Sequence, residues 1–310
     1  MKRLFLCVLA VLPLFSCATV KSKPIYGDDN ARDDTAYIQG LLDGPESVIR
    51  IPARDTAWIV RPLKLKGKEN KTFVFEPGCV ILAKKGEFTG LLDFLLDISE
   101  CRNITITGYG AVFRMHKDDY TASPYKKSQW RHGIAVFKTD SLTIEGLKVQ
   151  SSGGDGVYLG FRDGVSCKDI VLKHLILEDN NRQGVSVISA DGLLMEDCSV
   201  FGTQGHLPQA GIDFEPNDPE NLFSRIHIKN CTFQYNKGPG ILIHLKKLNK
   251  DSAPVDITVE NSYSAHNAFG LSVMFVPKGL EGKVKFVNSV IKGLQFISAP
   301  KGFLAVRRLQ

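Results

Sequence analysis

The feature that most constrains this chain is a repeat. From Arg102 onward a six-residue stretch recurs: NITITG at Asn103, LTIEGL at Leu142, IVLKHL at Ile170, LLMEDC at Leu193, IHIKNC at Ile226, ITVENS at Ile257 and VKFVNS at Val284. Each alternates apolar and polar residues, as a strand with one buried face does, and then reaches a glycine or polar residue. That polar column reads Gly108, Gly146, His174, Asp197, Asn230, Asn261 and Asn288, at intervals of 38, 28, 23, 33, 31 and 27 residues. A second column follows it: HGIAVF at His132, DGVYLG at Asp155, QGVSVI at Gln183, AGIDFE at Ala210, PGILIH at Pro239 and FGLSVM at Phe269. Each unit therefore holds two or three strands of about five residues, separated by Asn, Asp and Gly turns, with no room for a helix. Strands this short bury their inward residues only against the neighbouring coil, which is what a solenoid of parallel strands requires.

This pattern resembles the right-handed parallel β-helix of the pectin-lyase-like superfamily, to which the pectate lyases and polygalacturonases belong. The likeness covers nearly the whole chain after its first residues and implies an all-β fold. It also implies structural roles for two columns. Asn230, Asn261 and Asn288 are similar to that family's asparagine ladder, and Cys198 and Cys231 to its internal stack of small residues. Ahead of the coils, DDTAYIQGLLDG (Asp33 to Gly44) carries acidic residues at its start, apolar residues at helical spacing and a terminal glycine. It predicts a short helix capping the open solenoid edge. SVIRIP from Ser47 and KTFVFEPGCVILAK from Lys71 read as the first strands.

The N-terminus addresses the compartment. Lys2 and Arg3 precede the apolar run Leu4 to Phe15, too short to span a bilayer and shaped like a secretory core segment. It ends in LFSC, which resembles the lipobox of bacterial lipoprotein precursors and implies lipidation of Cys17; an ordinary cleaved signal peptide is the alternative. The chain thus divides into a signal peptide (1–16), a linker (17–32) and a single β-helix domain (33–310), held at a bacterial cell envelope by lipid. The formal charge of +6 falls to about +4 without Lys2 and Arg3, a mild basicity that favours anionic ligands only weakly. Five cysteines beyond Cys17, an odd number without CxxC spacing, argue against a disulfide framework or a zinc site.

The chemistry is expected at AGIDFEPNDPEN, Ala210 to Asn221. In the second column the residue after each glycine points inward and the next outward. Outward positions read Ala135/Phe137, Tyr158/Gly160, Ser186/Ile188, Asp213/Glu215, Leu242/His244 and Ser272/Met274, so one coil alone carries paired carboxylates. The longest insertions, Arg114 to Arg131, Thr203 to Gln209 and Lys246 to Pro254, flank this strand and would wall a groove. Glu215 and His244 occupy equivalent positions of adjacent coils and should be neighbours. Asp213, Glu215 and His244 are therefore the candidate catalytic residues, with Tyr158, Arg182, Lys246, Asp155, Trp130 and Arg131 as candidate substrate contacts.

Three readings of the carboxylates stay open. Residues two apart on a strand sit about 6.5 Å apart at the backbone, a spacing that serves hydrolysis by two carboxyl groups. Alternatively Asp213, Glu215, Asn217 and Asp218 supply hard oxygens for calcium, which would neutralise a uronate for β-elimination. They could also be a solvated face without a role. The resemblance does not decide between them. GGDGVYLG and RQGVSVIS are similar to the coils that carry the polygalacturonase aspartates and histidine, but Gly154, His132 and Gln183 stand where an aspartate, a further acid and the histidine belong. The expectation is a monomeric carbohydrate-active protein cleaving glycosidic bonds of a polysaccharide, anionic ones included, as hydrolase or lyase. A non-catalytic glycan-binding protein is the alternative, and nucleic acid is not an expected partner.

Overall fold

The computed structural model describes residues 32–296 and 299–309; the signal peptide, Cys17 and most of the linker lie outside them. Successive coils each contribute three strands, as in Asp140–Glu145, Lys148–Gln150 and Val157–Leu159, then Cys167–Lys173, Ile176–Glu178 and Gln183–Val187. Every strand pairs in parallel with its counterpart one coil away: Leu142 with Ile170, Val149 with Leu177, Val157 with Val185. Two of the resulting faces join into an eighteen-stranded sheet, and the third is a separate sheet of nine strands. The second strand of these coils, as in Lys148–Gln150, Ile176–Glu178, Ser199–Phe201 and Thr232–Gln234, is only three residues long, which is why alternation alone left the count at two or three.

The inward residues form one continuous core. Ile104, Leu142, Ile170, Leu193, Ile226, Ile257 and Val284 of one face stack with Ile134, Val157, Val185, Ile212, Ile241 and Leu271 of the third, all fully buried or nearly so. Each is buried only because the coil above and below covers it, so the whole row depends on exact register. Beside the first face, Cys198, Cys231, Ser262 and Ser289 form a buried column of small residues. Its members are linked by the Cys231 N–H donating to Ser262 Oγ (3.1 Å) and the Ser262 N–H to Ser289 Oγ (3.1 Å). All five cysteines in the described residues are buried free thiols.

The polar column has a backbone cause. His174, Asp197, Asn230, Asn261 and Asn288 all adopt left-handed φ values between 47° and 54°, a region that asparagine and aspartate tolerate better than most residues. These asparagines are exposed, and the expectation of a ladder there is corrected by the structure. The buried ladder lies at the next turn. There Asn180 Oδ1 accepts the Ser152 N–H (3.2 Å), Asn236 Oδ1 the Thr203 N–H (3.1 Å) and Asn267 Oδ1 the Asn236 N–H (3.0 Å). A turn closed into the core must satisfy its backbone donors internally, and an amide side chain reaching from the next coil does so.

The N-terminal helix α1 spans Thr35–Asp43 and lays Ile38 and Leu42 on the first coil. Asp34, at its start, makes no cap hydrogen bond; its carboxylate instead accepts the Ile59 N–H (2.9 Å) and pairs with Arg54. No helix among the described residues is long and apolar enough to cross a membrane.

Candidate active site

The third face carries the site. Its outward row runs Asp97, Ala135, Tyr158, Ser186, Asp213, Leu242, Ser272, Gln295 from coil to coil. The glycine that opens these strands is required by close approach of the next coil. A Cβ on Gly156 would stand 2.7 Å from Gly184 O, and one on Gly211 2.5 Å from Gly240 O.

Outward on this strand does not mean exposed. Asp213 and Ser186 are fully buried, contrary to the expectation of an open carboxylate pair. Only Glu215, just past the end of strand Ala210–Phe214, reaches a pocket of about 520 Å³ lined also by Phe94, Trp130, His132, Tyr158, Arg182 and Asn217. Four aromatic rings build one wall: Phe94 packs on Phe137 (centroids 5.9 Å apart), Phe137 on Tyr158 (5.7 Å), and His132 lies between Phe94 and Tyr158.

Arg182 organises the charges. Its Nη2 donates to Glu215 Oε2 at 2.5 Å, and its Nη1 stands 3.5 Å from Asp155 Oδ2. Asp155 is itself fully buried, its Oδ1 accepting the Gln183 N–H (3.1 Å). The Gln183 amide donates to Asp213 Oδ2 (2.7 Å), and Asp213 Oδ1 has no partner. His244 Nδ1 lies 3.7 Å from Glu215 Oε1. Three carboxyl groups thus surround one guanidinium in a desolvated layer.

They cannot all ionise alike. Burial, reinforced by the neighbouring Glu215 charge, pushes the Asp213 carboxyl well above the ordinary range and so favours its protonated form. Glu215 goes the other way. Burial alone would raise it, but His244 and the Arg182 guanidinium outweigh that and hold it below its usual value. Burial lifts Asp155 to about 7, against the pull of Arg182. The result is two carboxyl groups, two residues apart on one chain segment, whose proton affinities are shifted in opposite directions.

The remaining candidates separate. Tyr158, Arg182 and Trp130 line the pocket, whereas Asp155 supports it from below. Arg131 is corrected from substrate contact to scaffold. Fully buried, it donates to the carbonyls of Phe88 (2.7 Å) and Lys126 (2.5 Å), and its guanidinium lies over the Tyr120 ring. Lys246 is also corrected: it is exposed outside the pocket, its Nζ 5.6 Å from the Phe275 ring centre. The calcium quartet does not assemble. No group of three or more His, Cys, Asp or Glu among the described residues could hold a metal ion, Arg182 already engages Glu215 Oε2, and Asp218 Oδ1 accepts the Glu220 N–H (2.9 Å). Sequence reasoning missed Phe94 and Leu92, which lie in GLLDFLLD, ahead of both repeat columns.

A second concavity, of about 580 Å³, is lined by Lys117, Tyr120, Tyr125 and His206. Its polar groups are largely engaged already: Lys117 with Asp179, the Tyr125 hydroxyl with the Gly86 N–H (2.7 Å), and His206 Nδ1 with Leu207 O (2.9 Å).

Residues 119–270 match the family model described as a right handed beta helix region. The chain is a right-handed parallel β-helix protein. Solved β-helices superpose along most of its length. Endo-xylogalacturonan hydrolase from Aspergillus tubingensis aligns with a TM-score of 0.57 at 12% identity, over 91% of this chain and 75% of that one. Polygalacturonase from Erwinia carotovora ssp. carotovora aligns with a TM-score of 0.51 at 13% identity, over 90% and 94%. At such identities the likeness is one of fold. Among curated proteins the β-helix is 23% identical over 197 residues to the SPbeta prophage-derived uncharacterized protein YorA of Bacillus subtilis (strain 168), covering 58% of this chain and 33% of that protein. The chain therefore spans about a third of that relative's length.

Proposed function

We propose that this β-helix cleaves glycosidic bonds of a polysaccharide bound in the Glu215 pocket, by hydrolysis. The observation that carries the reading is the placement of Asp213 and Glu215 two residues apart beside Arg182, with burial raising the proton affinity of Asp213 while His244 and Arg182 lower that of Glu215. Neighbouring carboxyl groups with diverging proton affinities are what acid and base roles in glycoside hydrolysis need. The aromatic wall of Phe94, Trp130 and Tyr158 supplies faces on which a sugar ring packs. Two structural neighbours being hydrolases of galacturonan-type polysaccharides supports the substrate class. Asp213 is covered in the free protein, so its proton reaches the leaving oxygen only when the side chains over it move on substrate binding. That same burial favours a second reading, in which the pocket binds glycan without cleaving it.

Incubation with a panel of pectic, sulfated and neutral polysaccharides separates the readings. Release of reducing ends is expected; absorbance from unsaturated uronates would indicate a lyase, and binding without either would leave a glycan-binding protein. The pH profile has a defined shape. Glu215 must be ionised, so activity falls only as pH drops through its lowered proton affinity, below the ordinary value of 4.5. Asp213 must be protonated, so the alkaline limb lies well above the ordinary aspartate value of 3.8. An activity optimum confined between those two ordinary values would contradict the assignment.

An envelope location through lipid on Cys17 belongs to the same proposal. Cys17→Ser should release the chain from the membrane fraction; a wild-type chain that is already soluble ends that part of it.

A further inference from the structure

His132 is held in a way the two carboxyl groups do not explain. Its ring is 1% exposed and lies flat between two aromatic rings, with Tyr158 4.4 Å away at 6° and Phe94 5.3 Å away at 20°. Its Nδ1 accepts the Asp155 backbone N–H at 2.9 Å, with Asp155 Oδ2 a further 3.2 Å contact. A ring nitrogen that accepts a hydrogen bond from an amide cannot carry a proton, so the proton of the neutral ring sits on Nε2. Nδ1 is taken by Asp155, and His132 is among the residues that line the pocket.

We infer that His132 is a substrate-binding residue that presents a fixed, uncharged Nε2–H donor to a sugar oxygen in the Glu215 pocket. The inference rests on the proposed function for its ligand but not for its geometry. The titratable and charged groups facing the ring are Asp155, Arg182 and Tyr158. Burial and the Arg182 charge both oppose an imidazolium, in agreement with the hydrogen-bond pattern. A histidine used as acid or base must exchange its proton within the working range; this one is locked in one tautomer by a backbone amide that cannot change state. Its tautomer therefore stays the same while the Asp155 carboxyl beside Nδ1 titrates at about 7, and it orients substrate without adding a limb of its own to the rate profile.

Two measurements test this on the full chain. Long-range proton–nitrogen correlation of the labelled protein should show His132 with an unprotonated Nδ1 and a protonated Nε2, unchanged from about pH 8 to about pH 5. An imidazolium or an Nδ1–H tautomer anywhere in that range overturns the inference. On whichever polysaccharide of the panel is cleaved, His132→Phe, which keeps the stacked ring but removes the donor, should raise KM about three- to tenfold with a smaller change in kcat. His132→Gln, whose amide N–H stands near the place of Nε2–H, should recover most of that loss. Equal KM effects in both variants, or a loss confined to kcat, overturn the binding role. A protein that cleaves none of the panel sinks the hydrolase reading, and the tautomer spectrum then decides His132 alone.

Discussion

Glu215→Gln is expected to lower glycosidic cleavage by about 10²- to 10⁴-fold and, because it takes the ionised partner from the buried Arg182, to lower the unfolding midpoint as well. Glu215 is the carboxylate that reaches the pocket, and the amide keeps its shape while removing the ionised oxygen. Asp213→Asn should lose activity similarly, for a different structural reason than surface exposure would give. Asp213 is fully buried, which favours its uncharged form, so an asparagine can keep the bond from Gln183 through its carbonyl and lacks only the transferable proton. The control is Phe214→Ala. Phe214 is fully buried against Phe223, with ring centroids 6.0 Å apart, and its loss should cost about 3–5 kcal/mol, lowering stability and activity together. Full reducing-end release by both carboxyl variants would end the catalytic assignment.

Arg182→Met is expected to destabilise the fold by about 3–5 kcal/mol, read as a lowered urea midpoint, because it strips the one cation from a layer holding Asp155, Asp213 and Glu215. The effect should depend on pH in a defined direction. Asp155 binds its proton up to about 7 when folded, against 3.8 when free, so the folded state holds a proton that the unfolded chain has released. The stability this group contributes is full below about 4 and declines as pH rises through about 7. Without Arg182 the charged form of Asp155 loses its nearest counter-ion, and the decline should steepen. A variant as stable as wild type at neutral pH would show that the three carboxyl groups do not depend on the guanidinium. Such a result would also undercut the charge pattern on which the pocket chemistry rests.

The two kinds of information divide cleanly along this chain. Sequence alone determined the solenoid, because each coil repeats the same local requirement: alternate residues inward, a left-handed turn filled by His174, Asp197 or Asn230, a glycine at Gly156, Gly184 or Gly211 where the next coil passes within van der Waals reach. It also marked the one coil with paired carboxylates and placed Glu215 beside His244, since parallel register makes equivalent positions neighbours. What it did not determine was depth. Alternation tells which face a side chain leaves from but not what folds over that face, so Asp213 read as exposed and Arg131 as available. Only the tertiary structure decided that Arg131 pins a loop from inside, that Phe94 arrives from a separate segment to wall the pocket, and that Arg182 sits among three carboxyl groups. Those outcomes depend on insertions whose path no repeat constrains, and burial, which sets the charge of every group in the pocket, follows from that path.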